Sequence, residues 1–300
     1  MMRPVLNNWR RSKINFINEE LALCMDKLEE NQPEDIIRLT KAMRHSLLSE
    51  GKRIRPLLTL TVAEAIGEKA TNVLPGALAV EMVHAYSLIH DDLPALDNDD
   101  FRRGQPTCHK IYGEAMAILA GDALLSLAFE QLGELAGKAG WSNRAGGAIR
   151  VLAKAIGPLG MVGGQVEDLA FEKRTPTLAE SQAMVRRKTG ELFGAALGVG
   201  AALSGGDRKT IDTFHKAGLL AGEAYQIDDD ILNQIGDPDL LGKAVGSDLK
   251  RGKSTSPTLM GFKVASARAK DLIAKAIRLT GPYASEKLTW LLDSLIDRTF

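Results

Sequence analysis

The sequence predicts an all-α protein, one large helical bundle spanning residues 1–300. Three observations predict it. Apolar positions recur at helical spacing along most of the chain. No segment shows the sustained alternation of a half-buried strand. Glycine and proline cut the pattern into about ten or more pieces with short connections, which is the organisation of a bundle.

Taken in order, the breakers are Gly51, Gly67, Pro75-Gly76, Pro94, Gly104-Gln105-Pro106, Gly157-Pro158, Pro176, Gly205-Gly206, Asp237-Pro238 and Gly281-Pro282. Between them, Val80, Val83, Leu88, Ile89 and Leu93 mark one helix. Pro94 ends it, because proline removes a backbone donor and pushes the residue before it out of helical geometry. Thr177-Leu178-Ala179-Glu180 has the spacing of a capping box and announces another helix. The alanine-rich stretches Glu180–Leu203 and Ile211–Leu232 repeat the helical pattern. Nothing reads as a linker, a repeat or a low-complexity tract, so one domain is expected.

Composition narrows the function classes. The 300 residues are 45% hydrophobic and 25% charged, enough to bury a sizeable core. Lys+Arg and Asp+Glu number 38 each, so no excess positive charge supports nucleic-acid binding. Two cysteines, Cys24 and Cys108, are too few for a disulfide scaffold and read as reduced thiols. The start Met1-Met2-Arg3-Pro4 leads into charged sequence rather than a signal peptide's apolar core. The nearest candidates for a membrane span are Ala115–Phe129, interrupted by Asp122, and Leu192–Leu203, which is short and glycine-rich. No membrane span and a cytoplasmic location are therefore expected.

Two acidic clusters stand out. The first is His90-Asp91-Asp92-Leu93-Pro94-Ala95-Leu96-Asp97-Asn98-Asp99-Asp100, at a helix end. A helix C-terminus already carries partial negative charge, so crowding carboxylates there calls for cations. The second is Asp228-Asp229-Asp230-Ile231-Leu232-Asn233, where Asp229 and Asn233 share a helix face. Oxygen ligands without a dedicated cage suit Mg²⁺, which keeps waters and bridges to substrate phosphates. Either run alone reads equally well as solvated surface; together, each behind a strongly apolar helix, they do not.

Basic residues answer them. Gly51-Lys52-Arg53-Ile54-Arg55-Pro56 packs its cations closely, and Arg102-Arg103 follows the first acidic run. Arg186-Arg187-Lys188-Thr189 and Gly242-Lys243 with Gly252-Lys253-Ser254 complete the set. Guanidinium forks suit phosphate oxygens, and lysine supplies a mobile point charge. Gly252-Lys253-Ser254 lacks the strand and glycine-rich turn of a nucleotide-binding loop. A site for diphosphates, held partly through metal and partly directly, follows from the coincidence.

These motifs resemble the trans-polyprenyl diphosphate synthase (polyprenyl synthetase) family, in its bacterial farnesyl diphosphate synthase type. The likeness spans roughly residues 45–260 and rests on the motif set and order: Asp91-Asp92 with Asp97, Arg102-Arg103-Gly104, Gly163-Gly164-Gln165, Lys188-Thr189-Gly190, Gln226 with Asp229-Asp230-Ile231-Leu232, then Gly242-Lys243, Asp248 and Gly252-Lys253. The resemblance implies the isoprenoid synthase fold around a central cavity, a homodimer, and about three Mg²⁺ per active site. It implies that Asp91, Asp92 and Asp97 hold metal on one side and Asp229 on the other. Arg102, Lys188 and Lys243 would hold an allylic diphosphate, with Gln226 and Lys253 nearby. Lys52, Arg55, His84 and Arg103 would hold the diphosphate of isopentenyl diphosphate. Lys188, Thr189 and Gln226 would act at the reacting carbons. In the family the second aspartate motif usually ends in aspartate, and here that position is Asn233, which weakens the expected metal affinity.

The implied reaction ionises the allylic C–O bond against a stabilised diphosphate, and the double bond of isopentenyl diphosphate attacks the cation. The released diphosphate takes the proton, water is excluded, and Gly236–Lys253 is a candidate lid. Tyr86, five residues before Asp91 and roughly 7.5 Å along the axis, with Ser87 beside it, would floor the tunnel. An aromatic there accompanies a fifteen-carbon product in the family, so farnesyl diphosphate is expected first and the geranylgeranyl product second. The competing readings are a His-Asp metal phosphohydrolase built on His90-Asp91, a terpene cyclase, and a weakly active regulatory subunit that binds isoprenoid diphosphates. The phosphohydrolase leaves the paired aspartate motifs unexplained, and the cyclase needs no second diphosphate set.

Overall fold

The structure is a computed structural model that describes residues 2–235, 255–283 and 285–296. It is helical almost throughout. Helices α1 (Met2–Glu29), α2 (Glu34–Leu47), α3 (Ile54–Ile66) and α4 (Ala70–Asp91) lead to a minimal hairpin, β1 (Phe101–Arg102) and β2 (Gln105–Pro106). Then follow α5 (Cys108–Tyr112), α6 (Glu114–Ala136), α7 (Ser142–Ile156), α8 (Met161–Phe171) and α9 (Leu178–Val185). A π turn, Arg186–Gly190, carries the chain from α9 into α10 (Glu191–Leu203), and α11 runs from Arg208 to Ile235. The C-terminal part holds α12 (Ser256–Met260), α13 (Phe262–Thr280) and α14 (Glu286–Asp293).

The core centres on α10. Every residue from Leu192 to Leu203 is buried, and α3, α4, α7 and α11 pack around it. Being apolar all round is what such a position demands. Small residues let the neighbours close in. A Cβ on Gly218 of α11 would sit 2.4 Å from the Phe193 carbonyl oxygen, so the two helices meet backbone to backbone. α4 lies against α3, α6 and α10, and α11 lies against α10 and α13.

The local signals mostly operate as expected. α4 stops at Asp91, ahead of Pro94. The Thr177 hydroxyl accepts from the Glu180 amide at 3.3 Å, and the Glu180 carboxylate accepts from the Thr177 amide at 2.8 Å, completing the capping box. Pro75-Gly76 behaves otherwise: it lies inside α4. Burial against α10 outweighs the break: Leu203 and Val199 press against Gly76, within 2.4 and 2.9 Å of a hypothetical Cβ. The hairpin is too short to show an alternating pattern. Its turn residues Arg103 and Gly104 both have positive φ, 53° and 76°, which matches the twist of a two-residue hairpin.

The expectation of no membrane-length segment needs correction. Among the described residues three helical stretches are long and apolar enough to cross a membrane by length and composition alone: Ala70–Asp91, Glu114–Ala136 and Ser142–Phe171. The most apolar part of the first is 67% buried within the fold, because it is surrounded by other helices; the other two are 39% buried.

Candidate active site

The end of α4 is folded back on itself. The amides of Asp97, Asn98 and Asp99 donate to the carbonyls of Asp91, Leu93 and Asp92 at 2.8, 3.1 and 3.2 Å. Asn98 takes a positive φ of 50° to close the turn. Carboxylates are thereby stacked over a helix C-terminus. Burial pushes the Asp91 carboxyl up to about 6; Asp97 and Asp92 add to the rise, while Lys188 and Arg102 oppose it. Asp92 is almost fully buried and is also raised by burial, though Arg102 holds it at 2.5 Å. The same guanidinium reaches Asp99 at 3.5 Å.

A cationic group lies beside this cluster. The hairpin turns Arg102 toward Asp92 and Arg103 toward Ser49, whose hydroxyl it meets at 3.2 Å. The Arg103 guanidinium also lies against Gly51, where a Cβ would stand 2.7 Å from Nη1. Arg55, at the start of α3, lays its guanidinium over the Phe193 ring, 4.6 Å from the centroid. Its Nε is buried with no hydrogen-bond partner among the described residues, and burial lowers its pKa. His84 on α4 faces Arg55, Arg103, Arg102 and Arg53. Burial first, and those cations next, hold the imidazole well below its ordinary pKa, so it is neutral. Arg55 and Arg103 are desolvated and have no carboxylate within ion-pair distance among the described residues, which makes a place for an anion. Lys52 is exposed at the edge of this group.

Arg53, between Lys52 and Arg55, does something different. It takes a positive φ of 46°, turns inward and pairs with Glu81 at 2.7 Å, with side chains 2% and 5% exposed. It also donates to Asn18 and to the Ser49 carbonyl. Arg53 ties α1, α3 and α4 together.

The π turn occupies the middle. Such insertions are frequent at functional sites because the extra residue re-aims side chains. Lys188 pairs with Asp168 of α8 at 2.5 Å, and Arg187 pairs with Glu167. The Thr189 hydroxyl donates to Gln226 Oε1 at 3.0 Å, and Gln226 Nε2 donates to Asp230 Oδ1 at 2.9 Å. The amide of Ser256 closes the series on Asp230 Oδ2 at 3.0 Å. One turn thus lies near both acidic regions: the charge of Lys188 lowers the pKa of the Asp91 carboxyl, and Thr189 bonds to Gln226, three residues before Asp229. Asp229 is partly exposed, whereas Asn233 is 1% exposed. Among the described residues no three acidic or imidazole groups converge into a ready-made metal cage.

Tyr86 is buried in α4 with its ring edge-on to His90, centroids 5.8 Å apart. Burial and then Asp91 push its hydroxyl up to about 12. Ser87 bonds back to the His84 carbonyl at 2.9 Å. His90 turns toward α6, where its Nε2 lies 3.1 Å from the Ile118 carbonyl. The His90-Asp91 dipeptide therefore splits, which removes the basis of a His-Asp metal centre. Lys243, Lys253 and the candidate lid Gly236–Lys253 lie outside the described residues.

Sequence reasoning left Asp168, the partner of Lys188, without a role, and Asp230, the partner of Gln226, with none apart from its cluster. Asp168 stands three residues after Gln165 on the same helix, so Gly163-Gly164-Gln165 already pointed at that face. Phe193, under Arg55, carries no local signal.

Residues 37–295 match the polyprenyl synthetase family. The farnesyl diphosphate synthase of Geobacillus stearothermophilus is 44% identical over 266 residues, 86% of either chain. Geranylgeranyl pyrophosphate synthase 3 (chloroplastic) of Arabidopsis thaliana is 42% identical over 245 residues, 81% of this chain and 67% of the relative. The crystal structure of geranylgeranyl pyrophosphate synthetase from Pyrococcus horikoshii superposes with a TM-score of 0.87 at 32% identity, covering 99% of this chain and 100% of the other. The bundle, the motifs and these likenesses agree: the chain belongs to the polyprenyl synthetase family and is a prenyltransferase.

Proposed function

We propose that this prenyltransferase is a Mg²⁺-dependent farnesyl diphosphate synthase, which joins isopentenyl diphosphate to dimethylallyl and then geranyl diphosphate. The observation that carries this reading is the pairing of two unlike groups side by side. Crowded carboxylates at the end of α4, with Asp91 raised to about 6, stand beside desolvated cations at Arg55 and Arg103 around a neutral His84. The first group suits a metal-bridged diphosphate and the second a diphosphate held directly.

The donor set fits Mg²⁺. It is all oxygen, burial holds the Asp91 carboxyl up where a neighbouring cation would favour its ionised form, and among the described residues it forms no closed cage, as suits an ion that shares its shell with water and phosphate. Asp91, Asp92 and Asp97 on one side and Asp229 on the other would hold it, with Arg102 bonded to Asp92. When bound, the metal supplies Lewis-acid stabilisation of the departing diphosphate. Arg102, Lys188, Lys243 and Lys253 hold the allylic diphosphate, while Lys52, Arg55, His84 and Arg103 hold that of isopentenyl diphosphate. The neutral imidazole of His84 donates one N–H without adding charge. The backbone carbonyl of Lys188 or Thr189 and the side-chain amide of Gln226 offer negative dipoles to the allylic carbons as positive charge develops. The departed diphosphate accepts the proton lost after carbon–carbon bond formation.

Tyr86 supports the fifteen-carbon product: its ring is buried in α4 five residues before Asp91, where a bulky side chain would stop a chain growing down that helix. A geranylgeranyl product is the second reading, favoured by the similarity to geranylgeranyl synthases. The chain acts as one domain over residues 1–300, as a cytoplasmic homodimer. Incubation of pure protein with dimethylallyl and isopentenyl diphosphates, with and without Mg²⁺, tests all of this. Mg²⁺-dependent elongation to farnesyl diphosphate is expected. Phosphate release without elongation, or binding without turnover, rejects it.

A further inference from the structure

Glu223 of α11 is 1% exposed, yet it is not part of either acidic motif. Its Oε2 accepts from Arg186 Nε at 2.7 Å, and its Oε1 accepts from Arg268 Nη2 and Nε at 2.6 and 3.0 Å. Arg268 comes from α13, and Arg186 is the first residue of the π turn. A carboxylate this deep is costly unless it is fully bonded, and two guanidiniums meet that need. The question is why such a carboxylate lies here.

The spacing answers it. Glu223 and Gln226 are three residues apart on α11 and share a face. Arg186 and Thr189 are three residues apart along the turn. Arg186 bonds to Glu223 and Thr189 to Gln226, so two parallel tethers lash the turn to one helix. Next to the tethers the backbones nearly touch: a Cβ on Gly222 would stand 2.7 Å from Gly190 Cα. On the opposite side, a Cβ on Gly164 of α8 would stand 2.3 Å from the Lys188 amide nitrogen. The turn that carries Lys188 is therefore sandwiched between α8 and α11, and Glu223 fixes its leading end. A π insertion is strained relative to an α-helix and needs outside support to persist.

We propose that Glu223, held by Arg186 and Arg268, is a positioning residue that sets the register of the π turn so that Lys188 faces the allylic diphosphate. This rests on the functional reading above. It predicts a selective defect, because Arg55, His84 and Arg103 on α3, α4 and the hairpin are attached to other elements. Glu223→Gln should raise KM for dimethylallyl diphosphate about tenfold while KM for isopentenyl diphosphate stays within about twofold. The loss should largely vanish in a Lys188→Met background, since the tether acts through that lysine. Arg268→Gln leaves the Arg186 bond intact and removes a side chain that is 30% exposed, so it guards against a misfolded Glu223→Gln. It should show the same selectivity at about threefold. Equal shifts in both KM values, or losses that multiply with Lys188→Met, overturn the proposal and leave Glu223 a general stabiliser of the bundle. A wild-type chain that fails to elongate overturns the functional reading and this proposal with it. Elongation by wild type, with variants of unchanged selectivity, overturns this proposal alone.

Discussion

Gly164→Ala should cost far more activity than stability. The added methyl would lie 2.3 Å from the Lys188 amide nitrogen, 2.7 Å from its Cα and 2.9 Å from the Arg187 carbonyl carbon. All three are backbone atoms, so no side chain can swing aside. Reaching an ordinary contact of 3.4 Å demands that α8 and the π turn part by roughly 1 Å. Overpacking of this kind costs about 1–3 kcal/mol. Alanine in a helix returns up to about 1 kcal/mol relative to glycine. The net loss of up to about 2 kcal/mol lowers Tm by only a few degrees in a chain of this size. Catalysis depends on placement more steeply. A displacement near 1 Å costs on the order of 100-fold, so kcat/KM for the allylic substrate should fall by about that factor. Steady-state kinetics with a thermal melt on the same preparation measure both. Gly133→Ala in α6 is the control, since nothing lies within 4 Å of the methyl it would add; it should raise stability by roughly 0.5–1 kcal/mol without touching turnover. Wild-type kinetics and an unchanged Tm for Gly164→Ala would mean that α8 yields without moving Lys188, and the account of the π turn would fail.

Three further outcomes are expected. Tyr86→Ala should shift the main product from fifteen to twenty carbons by removing the buried ring five residues before Asp91, as product chromatography would show; an unchanged spectrum places the tunnel floor elsewhere. Asn233→Asp puts a carboxylate at a position 1% exposed, so Tm should drop in chelator and recover with Mg²⁺, with a higher apparent Mg²⁺ affinity in the assay. Identical melts in both conditions would put residue 233 out of reach of the metal. Glu81→Gln strands Arg53 in the core beside α1, where the pair is 2% and 5% exposed, and should cost about 3–5 kcal/mol in urea unfolding. A loss below about 1 kcal/mol would show that water reaches Arg53.

What was legible in the sequence is what neighbours along the chain determine. The helical pattern, the stop before Pro94 and the Thr177–Glu180 cap all depend on residues within a turn or two of each other. So does the crowding at Asp91 and Asp97, which needs only the aspartates and the helix end. Tertiary packing decided the rest. Composition alone does not separate Arg53 from Arg55 in a basic run, and the family motif picked only Arg55; packing shows why, since Arg53 locks the core to Glu81 while Arg55 lies over Phe193. Pro75-Gly76 reads as a break and instead lies inside α4, where Gly76 leaves room for Leu203 and Val199 of α10. Lys188 finds Asp168 across 20 residues, and Arg186 finds Glu223 across 37. The reason is common to all of them. Adjacent residues on a helix point about 100° apart, so the partner of a charge is set by which element packs over that face. That choice belongs to the whole bundle and to no segment of it.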